Sequence, residues 1–95
     1  MTDQELVRAL RILRRTVDML RTELRHGRID EGLLHDIEAQ MERGIGTDAR
    51  SEELRPFVDK LRESTMTPRA ELLSDTIRAC DKLTDAIEGV VSALG

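Results

Sequence analysis

Ninety-five residues suit one domain with a thin core, and the lone aromatic, Phe57, leaves Leu, Ile, Val and Met to fill it. No apolar run approaches the roughly 18 residues of a membrane span, Asp3 and Glu5 stand where a signal peptide would be apolar, and one cysteine, Cys80, excludes an internal disulfide or a cysteine-based zinc site. The net charge of −4 is unevenly laid out: residues 1–28 carry seven arginines against four carboxylates, a net +3, and residues 29–95 carry eight basic against fifteen acidic side chains, a net −7. A cytoplasmic chain without a membrane anchor is the expectation.

The first predicted helix covers about 3–26. Leu6, Leu10, Leu13, Val17, Leu20 and Leu24 recur at intervals of four and three, the seam of a helix that packs lengthwise on others. Thr2 and Glu5 have capping-box spacing, Gly27 supplies a left-handed stop, and Arg25 and His26 suit the negative end of the helix dipole. In heptad terms Ala9 and Thr16 flank the seam on one side, and Ile12 and Met19 widen the apolar surface further. A face that broad meets two or more neighbours. All seven arginines of residues 1–28 lie on the opposite side.

A second helix is predicted over about 31–43. Asp30 is its N-cap, Ile29 and Leu34 have hydrophobic-staple spacing, Leu33, Leu34, Ile37 and Met41 form its inner face, and Gly44 ends it. Residues 44–56, rich in Gly, Thr, Asp and Ser, read as a loop or hinge. Thr47 or Ser51 would cap a third helix over about 53–64, with Pro56 in its first turn and Leu54, Phe57, Val58 and Leu61 as its apolar face. Thr67-Pro68 is a strong restart, and a fourth helix over about 68–94 repeats Leu73, Thr76, Cys80, Leu83, Ile87, Val90 and Leu94 at threes and fours. The sum is an all-α, long-short-short-long four-helix bundle in one domain, 1–95, with coiled-coil-like packing of helices 1 and 4. The short pair should leave the long helices partly uncovered, which favours a two-fold homodimer.

Three sets of residues carry candidate chemistry. The arginine face of helix 1 either grips an acidic partner or serves as a solvated side that pairs with Asp75, Asp81, Asp85 and Glu88 of helix 4. Glu31, His35, Glu38 and Glu42 form one stripe of helix 2, but His35 precedes Glu38 where di-metal bundles place Glu before His, so a solvated face is expected and no metal or other cofactor. Cys80 sits on an apolar stripe and reads as a small buried hydrophobe. No phosphate loop, nucleophile triad or zinc spacing is present, so no enzyme is expected.

The function expected is a non-catalytic helical protein–protein interaction module: a small regulator, adaptor, chaperone or inhibitor. Arg11, Arg14, Arg21 and Arg25 would contact the partner, and Leu10, Leu13, Val17 and Leu20 would serve assembly. The alternatives are a nucleic-acid-binding regulator that uses the same arginines and, third, a metal-binding bundle. Two lysines, one aromatic and an acidic balance count against nucleic acid.

Overall fold

The computed structural model describes residues 1–66 and 72–94. Among them are four α-helices and no strand: α1 (Asp3–Arg25), α2 (Glu31–Gln40), α3 (Arg55–Met66) and α4 (Leu72–Leu94). The start predicted at Thr67-Pro68 lies outside the described residues. The fold is an all-α bundle in which α1 packs most extensively on α4, α3 covers α4 and α2 covers α1. Arg14 meets Glu88 and Arg21 meets Asp81, so α1 and α4 run antiparallel. Each has 23 residues, about 34 Å at 1.5 Å per residue, and they set the long dimension of a 42 × 19 × 19 Å body.

Local chemistry explains where α1 begins and ends. The Glu5 amide donates to Thr2 Oγ1 at 3.1 Å, satisfying an orphan donor of the first turn. The Glu5 carboxylate does not reach back to the Thr2 amide as a full capping box requires; it accepts from the Thr2 hydroxyl at 3.0 Å. At the other end the Gly27 amide bonds Leu24 O and the Arg28 amide bonds Glu23 O, a Schellman closure made possible by Gly27 at φ +79°. An Arg28–Glu23 ion pair at 3.0 Å spans the same closure.

The core is continuous. Leu6, Leu10, Leu13, Val17, Leu20 and Leu24 of α1 pack with Ile37, Leu54, Val58 and Leu61 from the covering segments and with Cys80, Leu83, Ile87 and Val90 of α4. Asp30 caps α2 as expected, accepting from the Leu33 amide at 3.1 Å.

Two expectations change between α2 and α3. Regular α-helix ends at Gln40, not near residue 43, and gives way to a wide turn, Met41–Ile45, closed by the Gly46 amide on Met41 O at 2.7 Å. Gly44 at φ +131° makes the turn possible. Residues 45–54 then form a hydrogen-bonded corner. Ile45, Ser51 and Leu54 are buried, and Ser51 does not cap α3: its hydroxyl donates to Ile45 O at 2.6 Å, while Thr47 donates to Gly44 O at 3.3 Å. A short 3-10 turn, Glu52–Leu54, leads into α3, and Pro56 falls in its first turn, where its missing N–H costs nothing.

Candidate functional site

The geometry of α1 sorts its arginines into two groups. A 100° step per residue puts Arg14 and Arg21 beside the buried seam, next to α4. There Arg14 Nη2 lies 2.7 Å from Glu88 and Arg21 Nε lies 2.5 Å from Asp81, whose second oxygen accepts from Arg21 Nη2 at 3.5 Å. Both residues, expected as partner contacts, pair here with the chain's own acidic helix. Asp75 takes a different partner, Arg78 on the next turn at 3.7 Å.

Arg8, Arg11 and Arg15 point away from the core and are exposed. Among the described residues none of the three has an ion pair or side-chain hydrogen bond. Arg25, at the last turn, is likewise exposed and unpaired. Between the guanidinium groups stands Ile12, 52% exposed, with Met19, 51% exposed, two turns on. The wide apolar surface read from the sequence therefore divides: the Ala9–Thr16 flank meets the rest of the bundle, with Gln40 Nε2 donating to Thr16 Oγ1 at 2.8 Å, and the Ile12–Met19 flank faces solvent.

Two adjoining hollows that share Arg11 and Arg15 follow one another along the outward side of α1 and together make a groove. The first is lined by Val7, Arg8, Arg11, Ile12, Arg15 and Leu94, and the second by Arg11, Arg14, Arg15, Ile87, Glu88 and Val91. Asp3 lies at one end and Asp18 at the other. Asp3 is engaged by Arg50, which leaves, among the described residues, three free cations against one free carboxylate in the groove.

Leu10, Leu13, Val17 and Leu20 are all 0% exposed. They are closed inside the chain's own core and offer no surface to a second copy. The physical reason is that α4 packs along α1 and, with α2 and the wide turn, closes the seam.

Arg50 is the functional-looking residue that sequence reasoning passed over. Its guanidinium holds Asp48 at 2.8 and 3.0 Å, Met1 O at 2.6 Å, and Asp3. Hydrogen bonds from Arg50 pull the Asp48 carboxyl down to about 2, and Asp48 in turn raises Arg50. The only sequence signal was an Asp-x-Arg spacing within a corner. The cluster fastens the start of α1 to the corner and presents no unpaired group for chemistry.

The helix 2 stripe of Glu31, His35, Glu38 and Glu42 does not converge. Glu38 pairs with Arg62 of α3 at 3.3 Å, and no three potential metal-ligating groups come together among the described residues. The Cys80 thiol is fully buried, and that burial pushes it up to about 12, so it stays protonated and unreactive at neutral pH. No described helix is long and apolar enough to cross a membrane. Set against protein-family models, characterised proteins and solved structures, the chain matches none of them significantly.

Proposed function

We propose that this chain is a non-catalytic protein-interaction module, a small cytoplasmic regulator or adaptor, that docks an acidic partner protein on the outward face of α1. The observation that carries the reading is the trio Arg8, Arg11 and Arg15: three solvent-facing guanidinium groups within two helical turns, unpaired among the described residues, bordering exposed Ile12. Unpaired like charges on one helix destabilise it modestly, so a fold free to place carboxylates there gains by doing so; this one places them beside Arg14 and Arg21 instead. Guanidinium groups present a planar fork suited to bidentate carboxylate recognition. The partner contacts in this reading are Arg8, Arg11, Arg15 and Arg25, with Arg14 and Arg21 kept for α1–α4 pairing.

The test compares the wild-type chain with an Arg8→Glu/Arg11→Glu/Arg15→Glu variant as baits in native-host extract at low and high salt. The expected result is a set of acidic proteins held by the wild type at low salt and absent from the variant. Identical captures from both baits would defeat the reading. A gel shift on duplex DNA is the second arm, with no retarded band expected at low salt. A band that fades with a slope of about −0.9 per phosphate contact as salt rises would transfer the arginines to nucleic acid.

A further inference from the structure

We propose that the occupant of the α1 face is an acidic amphipathic helix of a partner protein, laid lengthwise in the groove between α1 and α4. The inference rests on the docking role proposed above and adds the form of the partner.

Three features select a helix over a disordered acidic tail. The first is an apolar floor. Val7, Val91 and Leu94 are half-buried, and Ile12 is 52% exposed, along the same groove that the free arginines border. An acidic tail without apolar side chains would leave that floor wet. The second is length. The groove follows α1 from about Asp3 to Asp18, some 22 Å at 1.5 Å per residue, which is about four turns of a partner helix. The third is register. Arg8, Arg11 and Arg15 are spaced three and four apart, so they form a row along one helix face. Carboxylates at three- and four-residue spacing on a facing helix meet that row one for one, while apolar side chains on the adjoining stripe reach the floor. This is the helix-in-groove mode of recognition.

The same charges argue against a second copy of this chain as the occupant. A two-fold contact is isologous, so the patch meets itself. Pairing the outward faces of α1 would bring two sets of Arg8, Arg11 and Arg15 together, with only Asp18 from each copy to offset them. Like charges brought together across an interface disfavour that pairing.

The experiment uses the intact chain and fluorescence anisotropy with three labelled probes. One is a 15-residue Leu/Glu peptide patterned so that Leu and Glu occupy adjoining helix faces. The second has the same composition scrambled so that no face exists. The third is a duplex DNA oligomer. The patterned peptide is expected to bind at least tenfold tighter than the scrambled one. Arg11→Glu/Arg15→Glu is expected to abolish that binding, and Ile12→Ser, a change at an exposed position that leaves folding intact, to weaken the patterned peptide about threefold without affecting the scrambled one. Equal binding of both peptides, sensitive to Arg11→Glu/Arg15→Glu, would overturn the helix inference and leave acidic docking standing. Failure of both peptides would overturn both, as would DNA binding tighter than either peptide.

Discussion

Individual side chains in this protein do work that their residue type alone does not announce. Arg50 is the clearest case. Because its hydrogen bonds hold Asp48 at about 2 against an ordinary 3.8, the charged form of Asp48 is favoured in the folded state. The stability it contributes is complete above the unfolded value and is lost as pH falls through about 2. Arg50→Ala should therefore flatten the drop in melting temperature between pH 4 and pH 2, as followed by circular dichroism; equal drops in variant and wild type would contradict the clasp. Ser51 is a second case. Its hydroxyl satisfies the Ile45 carbonyl inside the corner, so Ser51→Ala should cost about 1–3 kcal/mol in urea unfolding. Thr84 runs the other way: its buried Oγ1 has no hydrogen-bond partner among the described residues. Thr84→Val keeps the shape, removes the unpaired hydroxyl and should raise stability by about 1 kcal/mol. At Cys80, where burial holds the thiol at about 12, labelling by a thiol reagent at pH 8 should proceed only at the rate of global unfolding. Rapid labelling of the folded protein would show the α4 stripe to be open.

At the scale of the element, periodicity and capping residues carried most of the information. The seam of α1, its Thr2 cap and its Gly27 stop are all legible because each is a local rule: a repeat of three and four, an oxygen facing an orphan amide, a residue tolerant of positive φ. The corner between α2 and α3 was not legible, because the bonds that fix it join residues that no short motif links: Ser51 to Ile45, Arg50 to Asp3 and Met1. The division of the arginines was half legible. The sequence offers Asp81 and Glu88 as possible partners of the α1 arginines, but which arginines face them depends on the antiparallel register of α1 and α4. That register is a tertiary property, and it sets Arg14 and Arg21 beside the acidic helix. These pairs are half-exposed, so each contributes only about 0.2–1 kcal/mol and less at high salt. A double-mutant cycle on Arg21 and Asp81 should return a coupling in that range. Leu13→Ala, in contrast, removes a fully buried side chain from the α1–α4 seam and should cost about 2–5 kcal/mol.

For the whole molecule, the two opposed charge populations acquire a geometry. The acidic residues of α4 next to α1 are spent on internal pairing, and the basic surplus of α1 is turned outward, away from the core. Self-association through the leucine seam has no surface to act on, because the chain closes that seam by itself. What α1 leaves exposed is a cationic strip with an apolar groove at its side, and the proposed function depends on partners using it. Backbone amide shifts followed by NMR, while the patterned Leu/Glu peptide is titrated in, test this most directly. Perturbations confined to residues 4–18 and 87–94 are expected, with α2 and the Met41–Leu54 corner silent. Perturbations centred on α2 or α3, or none at saturating peptide, would contradict it.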